Sequence, residues 1–108
     1  MPLYCNILLG SLGTMNASAR NLRFLVDSLP PYCLWAATGI GSSRFFVERE
    51  AINGGGGVRV GLEDNIYLND ANTQPARNED LIKRVLEAAV QAGREIATPK
   101  EVRDWLEL

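Results

Sequence analysis

Residues 58–65 read Val-Arg-Val-Gly-Leu-Glu-Asp-Asn, a short apolar strand with charged side chains at and beyond its carboxyl end. Because side chains alternate along a strand, Val58 and Leu62 are expected to face the covering helices. Arg59 and Glu63 then face the opposite side. In an open sheet with helices on both faces, burying an arginine and a glutamate there would be costly. The mouth of a (β/α)8 barrel accepts both, because strand ends line the active site there.

Apolar runs and helix signals alternate along the rest of the chain. Short apolar runs predict strands over residues 3–9, 33–38 and 58–62. Helical spacing and capping residues predict helices over 17–29 (N-cap Asn16 or Ser18), from Ser42 or Ser43 to Ile52, from an N-cap at Asn78 to Gly93, and from a capping box at Thr98. The order β-α-β-α-β-α-α is typical of a parallel sheet covered by helices, which makes the fold class α/β.

Each predicted helix carries apolar residues that we expect to pack inward. In chain order they are Leu22, Leu25, Val26 and Leu29; Phe46, Val47 and Ala51; Leu81, Ile82, Val85, Leu86 and Ala89; and Val102, Trp105 and Leu106.

The composition is that of one ordinary globular domain, with 108 residues, 46% hydrophobic and 22% charged. The 11 basic and 13 acidic residues give a net charge of −2, which offers no electrostatic footprint for nucleic acid or an anionic membrane. The chain has no histidine, which excludes a Ser-His or Cys-His nucleophile and any His metal ligand within it. No apolar run approaches the about 20 residues of a membrane span, and no basic leader precedes the first run, so we expect a cytoplasmic protein.

Cys5 and Cys33 each lie within an apolar run. One pair of cysteines cannot build a four-ligand zinc site, and a disulfide framework would need more cysteines and a secreted context. We therefore expect two buried, reduced thiols.

The charged residues of the third strand allow two interpretations from the pattern alone. Arg59 could form an ion pair with Glu63 or Asp64 that only fixes the strand end. Alternatively, Asp64 turns inward as well, and the three side chains form a catalytic site. Three charges within six residues suggest a site without being specific for one.

Glycine-rich segments at residues 10–14 and 39–43 follow the carboxyl ends of strands and lead to helix starts. Each could bind an anion there or serve only as a turn and cap. The run Gly54–Gly57 precedes a strand, which places it at the opposite rim as a flexible turn. We expect Trp35 and Trp105 to be core or docking residues.

Four segments carry a resemblance to a known family. They are NILLG at residues 6–10, WAATGIG at 35–41, GGVRVGLEDN at 56–65 and GREIATP at 93–99. The chain resembles, over nearly its whole length, the C-terminal part of the beta-keto acid cleavage enzymes of the 3-keto-5-aminohexanoate cleavage type. The third segment is the most specific of the four.

This resemblance implies a zinc-dependent (β/α)8 barrel, of which residues 1–108 would form the last three βα units and a C-terminal helix. The implied acyltransferase or lyase reaction converts a 3-keto acid and acetyl-CoA to acetoacetate and a new acyl-CoA. By the same resemblance, Glu63 would bind zinc alongside two histidines from an early His-x-His pair. Asp64 would be the general base and Arg59 its partner.

A complete barrel of this class needs about 250 residues, and this chain lacks the His-x-His pair. We therefore expect the isolated chain to be inactive and marginally stable, and the complete enzyme to form a homo-oligomer. The alternative is a small non-enzymatic α/β binding or interaction module, in which Arg59 forms a structural ion pair.

Overall fold

The computed structural model describes residues 2–11, 13–62, 68 and 75–108. These residues form three strands and four α-helices, in the predicted order. The elements are β1 (Leu3–Leu9), α1 (Ala19–Asp27), β2 (Cys33–Gly39), α2 (Arg44–Asn53), β3 (Gly57–Val58), α3 (Asn78–Gln91) and α4 (Pro99–Leu106), with a 3₁₀ turn at Gly41–Ser43 before α2. No described helix is both long and apolar enough to cross a bilayer.

The strands form a parallel sheet in the order β1-β2-β3, which confirms the predicted α/β class. The register pairs Leu3 with Cys33 at one end of β1 and Leu9 with Gly39 at the other. Ala37 pairs with Val58 on the other side of β2. Parallel pairing brings all three carboxyl ends to one edge of the sheet.

One face of the sheet carries the hydrophobic core. Alternate strand residues pack there against α1 and α2, and the buried cluster consists of Ile7, Leu9, Leu22, Ala37, Val47 and Ala51. Val58 packs against this cluster, as its place in the alternation predicts. Burying each large apolar side chain contributes about 1.5–3 kcal/mol.

The other face carries exposed apolar side chains. Tyr4 is 53% exposed and Leu8 is 41% exposed, and both alternate with the core residues of β1. In register they pair with Leu34 and Thr38 of β2. We call Tyr4 and Leu8 the open face. Arg59 follows Val58 directly and therefore lies on this same side of the sheet.

The third strand is shorter than the sequence predicts. It covers Gly57–Val58 instead of 58–62, although the Arg59 N–H still donates to the Ala37 carbonyl at 3.1 Å. The Arg59 carbonyl then accepts from the Thr38 hydroxyl at 3.2 Å. The regular parallel pairing of β3 thus ends at Val58, and the next residue is bonded through the side-chain hydroxyl of Thr38.

The predicted N-cap of α3 is wrong by one residue. Arg77 is the N-cap, and its backbone N–H donates to Asp80 Oδ2 at 3.0 Å. Asn78 begins the helix, and its side-chain oxygen accepts instead from the Leu62 N–H at 3.1 Å. By contrast, the N-cap at Ser18 and the capping box at Thr98 are confirmed.

The predicted inward face of α2 is wrong in part. Val47 and Ala51 are buried, but Phe46 is 42% exposed. Arg44 and Glu48 are buried instead, because positions 44, 47, 48 and 51 follow the i, i+3, i+4, i+7 spacing of one helix face.

The outer helices bury less of their apolar faces than expected. In α3, Leu81 and Ala89 are buried, whereas Ile82 and Leu86 are exposed. Trp105 of α4 is exposed as well.

Candidate active site

Arg59 stands at the carboxyl end of β3, and β2 holds its backbone on both sides. Its N–H donates to Ala37 and its carbonyl accepts from Thr38, a side chain that is only 1% exposed. The Arg59 residue itself is exposed. These two hydrogen bonds fix where the Arg59 side chain leaves the sheet.

Glu63 and Asp64 lie outside the described residues. Of the three predicted site residues the structure places only Arg59, and the roles of both carboxylates stay predictions. The nearest described position is Leu62, which hydrogen-bonds to Asn78 at the start of α3. We call residues 58–65 the site segment. Its described part is hydrogen-bonded to β2 at Arg59 and to α3 at Leu62.

A buried ion pair lies beside this segment. Arg84 of α3 donates to Glu48 of α2 through Nε at 3.0 Å and Nη2 at 2.8 Å. A third bond runs from Arg84 Nη1 to the Leu68 carbonyl at 2.7 Å, and the guanidinium carbon lies 4.8 Å from the centre of the Phe45 ring. The two-pronged geometry is the strong form of a guanidinium–carboxylate pair.

Arg44 joins the cluster from the first turn of α2. It is 2% exposed, and its Nη1 donates to the Gly41 carbonyl at 2.6 Å. The approach needs a glycine at the end of β2, since a Cβ on Gly39 would lie 2.5 Å from the Arg44 Cα. Burial raises the pKa of Glu48, while the hydrogen bond and charge of Arg84 and the charge of Arg44 act in the opposite direction.

Together these residues surround a small cavity at the carboxyl ends of β2 and β3. Thr38, Arg44, Glu48, Arg59 and Arg84 are among its lining residues. Its volume of about 10 Å³ has room for about one water molecule. Among the described lining residues, three guanidinium groups face one carboxylate.

Sequence reasoning missed the pair formed by Glu48 and Arg84, because 36 positions separate them. One signal was available in α2, where Arg44 and Glu48 occupy the same stripe as Val47 and Ala51. Charged residues within an inward stripe need partners from another element.

The described residues do not form a zinc site. Within the ranges that the structure describes, no three His, Cys, Asp or Glu side chains gather as a metal-binding group. The whole chain contains no histidine. A catalytic zinc takes about three protein ligands. Glu63, the predicted ligand, lies outside the described residues, and its role stays a prediction.

The glycine segments act as turns in the structure. Gly10 has a φ of 95°, and a Cβ there would lie 2.6 Å from the Ser43 hydroxyl oxygen, so the loops after β1 and β2 are in contact. The Ser11 N–H donates to the hydroxyl of Thr14 at 3.0 Å within its own loop. Their predicted alternative role as anion sites stays a prediction.

The Gly54–Gly57 turn lies at the opposite end of the sheet from Arg59. Arg94 Nη1 donates to the carbonyls of Ile52 at 3.0 Å and Gly56 at 2.6 Å. Any side chain on Gly56 would collide with the Trp35 ring. The turn is therefore held by specific contacts.

Comparison with known proteins connects this geometry to a family. A family model for the beta-keto acid cleavage enzyme matches residues 1–108. The chain is 42% identical over 107 residues to a 3-keto-5-aminohexanoate cleavage enzyme of Fusobacterium nucleatum, covering 99% of this chain and 38% of that protein. It is 37% identical over 106 residues to the enzyme of the same name from Acetoanaerobium sticklandii, covering 97% of this chain and 38% of that protein.

A third relative carries a different activity in its name. The 3-dehydrocarnitine:acetyl-CoA trimethylamine transferase of Rhizobium meliloti is 34% identical over 84 residues, covering 78% of this chain and 27% of that protein. The chain thus spans well under half the length of each of these relatives. The match to the family model nevertheless extends over all of its residues. The chain belongs to the beta-keto acid cleavage enzyme family.

Proposed function

We propose that this chain is the C-terminal part of an enzyme that converts a 3-keto acid and acetyl-CoA to acetoacetate and a new acyl-CoA. The observation that carries the proposal is the position of Arg59, within the family's most specific segment, at the carboxyl end of a parallel strand. Ligands of parallel α/β folds bind at this edge of the sheet. The name of the Rhizobium meliloti relative, 3-dehydrocarnitine:acetyl-CoA trimethylamine transferase, includes acetyl-CoA and supports acetyl-CoA as a substrate.

The proposed fold of the complete protein is a (β/α)8 barrel in which β1, β2 and β3 are the last three strands. The open face supports this proposal, because Tyr4 and Leu8 would be covered by the interior of a closed barrel. The length of the relatives supports it too, because this chain matches only 38% of the length of each of two relatives. We propose that the complete enzyme forms a homo-oligomer.

Within this proposal, Asp64 removes a proton from the keto acid. Arg59 keeps the Asp64 carboxyl ionised and oriented by placing a positive charge beside it. Two hydrogen bonds keep the Arg59 backbone in place during this step, since its N–H donates to the Ala37 carbonyl and its carbonyl accepts from the Thr38 hydroxyl. The carboxylate becomes an effective base once bound substrate excludes water.

Zinc is proposed for the complete enzyme, with Glu63 as one ligand and histidines from outside this chain as the others. When bound, zinc would polarise the keto oxygen as a Lewis acid. Because this chain cannot supply the histidines, we expect the 108 residues alone to show no turnover.

Substitutions in the complete protein test these roles. Asp64→Asn should retain zinc and lose turnover by about 10²–10⁴-fold, the usual contribution of a general base. Glu63→Gln should lower zinc content, measured by metal analysis. Arg23→Gln is the matched control, since Arg23 is an exposed residue of α1 that makes only a 4.0 Å surface pair with Asp27. Full activity in both site variants would contradict the proposed function.

A further inference from the structure

The two cysteines lie side by side on neighbouring strands. The Sγ atoms of Cys5 on β1 and Cys33 on β2 are 3.1 Å apart, and the Cys33 thiol also contacts the Leu34 carbonyl at 3.3 Å. Both cysteines are free and only partly buried. The parallel register brings them together across 28 positions of sequence. The expectation that both thiols are buried is therefore wrong, whereas their reduced state stays a prediction.

This pair lies far from the candidate active site along the strands. Cys33 is the first residue of β2 and pairs with Leu3, whereas Arg59 lies beyond the Ala37 register near the other end. Cys5 shares the helix-covered face with Ile7, opposite to the open face. Chemistry at the two thiols would therefore leave the site segment untouched.

We propose that Cys5 and Cys33 form a thiol–disulfide pair that low-molecular-weight disulfides, such as glutathione disulfide, oxidise. One cysteine thiolate attacks the glutathione disulfide, forms a mixed disulfide and releases one glutathione thiolate. The second cysteine then attacks the sulfur of the first and releases the second glutathione. Two protein thiols become one disulfide, one glutathione disulfide becomes two glutathione thiols, and the thiol protons pass to the leaving sulfurs.

The geometry requires a small approach of the two sulfurs, from 3.1 Å to the about 2.05 Å of a disulfide bond. Cys33 is the first residue of β2, and its N–H donates to the Pro30 carbonyl of the preceding turn at 3.0 Å. Desolvation and the hydrogen bond to Cys5 raise the pKa of the Cys33 thiol. The Cys33 thiol is therefore expected to react more slowly than an activated cysteine, because the thiolate is the attacking form.

Incubation of the 108-residue chain with glutathione disulfide tests the proposal. The expected product is a monomer whose mass is lower by two hydrogen atoms and that carries no glutathione. Cys5→Ser and Cys33→Ser are the matched controls, and each should retain one glutathione because no second thiol can displace it. Wild-type protein that retains glutathione, or that forms disulfide-linked dimers, would overturn the proposal.

A second measurement tests whether the folded structure brings the two thiols together, or whether they meet equally often in the unfolded chain. The equilibrium constant for the intramolecular disulfide, titrated against reduced and oxidised glutathione, should fall by about tenfold or more in denaturing urea. The oxidised chain should correspondingly unfold at a higher urea concentration than the reduced chain. Equal constants with and without urea would show that the fold does not bring the thiols together.

Discussion

Thr38 connects the middle strand to the site segment through a single hydroxyl group. Its side chain is buried and donates to the Arg59 carbonyl, one residue after the last paired position of β3. At the scale of one residue, the structure thus shows how a strand can end and still hold the next side chain in a defined place. This residue, Arg59, is the proposed partner of the general base Asp64.

Replacing Thr38 with valine should destabilise the chain by about 1–2 kcal/mol, because the Arg59 carbonyl would lose the donor of a partly buried hydrogen bond while the side-chain volume stays the same. Urea unfolding followed by circular dichroism measures this change. Thr38→Ser is the control, since it keeps the hydroxyl. If serine and valine destabilised equally, the hydrogen bond would not be the cause.

The ion pair of Glu48 and Arg84 should be far more sensitive than a surface pair of the same length. Arg84→Met is expected to cost about 3–5 kcal/mol, because it leaves the carboxylate of Glu48 buried without its main partner. Lys100→Met removes a pair with Asp104 that is also 2.8 Å long but exposed, and should cost at most about 1 kcal/mol. The difference in urea midpoint between the two variants measures the effect of burial. Similar costs would contradict a buried role for Glu48 and Arg84.

At the scale of elements, the helix and strand order follows from the sequence because each element carries a local signal. Thr98 and Glu101 form the capping box that their spacing predicts. The errors occur where a tertiary contact competes with a local one. Asn78 is a good capping residue, but its side chain binds Leu62, and Asp80 bonds to the backbone of Arg77 instead.

The dependence of the free energy of unfolding on acidic pH should reveal the hydrogen bond between Asp80 and the Arg77 N–H at the start of α3. The backbone N–H and guanidinium of Arg77 favour the ionised carboxyl of Asp80 and lower its pKa. A carboxyl with a lowered pKa stabilises the fold above its unfolded-state pKa, about 3.9, and this contribution is lost as the pH falls through the lower folded-state value.

Asp80→Asn should therefore flatten the loss of stability on acidification below about pH 4, measured as urea midpoints over a pH series. Glu87→Gln on the same helix removes the same charge away from the cap and serves as the control. An unchanged acid dependence in Asp80→Asn would show that the cap does not contribute.

At the scale of the whole molecule, alternation along the strands predicts which side of the sheet each residue occupies. Val58 packs on the core and Arg59 lies on the other side, as the sequence indicates. The cluster of Arg44, Glu48 and Arg84 could not be predicted in the same way, because its geometry depends on how α2 and α3 meet. The stripe in α2 indicates that Glu48 needs a partner from another element, but local patterns do not indicate that Arg84 is that partner. Glu63 and Asp64 lie outside the described residues, so their part of the site still rests on the resemblance.

A charged substitution on the open face should have opposite effects in the isolated chain and in a complete barrel. Leu8 and Leu9 are neighbours on opposite faces, 41% and 0% exposed. In the isolated chain, Leu8→Lys should keep the helical circular dichroism and reduce self-association in sedimentation, because it places a charge on an exposed apolar surface. Leu9→Lys should unfold the chain, because it buries an unpaired charge.

In the complete protein, the same Leu8→Lys change should be damaging, because a closed barrel would bury the position in its interior. Thermal unfolding of the complete variant, compared with the isolated variant, tests this contrast. A complete protein that accepted lysine at position 8 as easily as the isolated chain would contradict the barrel. A wild-type isolated chain that is monomeric and unfolds in one cooperative step would instead favour a small self-sufficient α/β module.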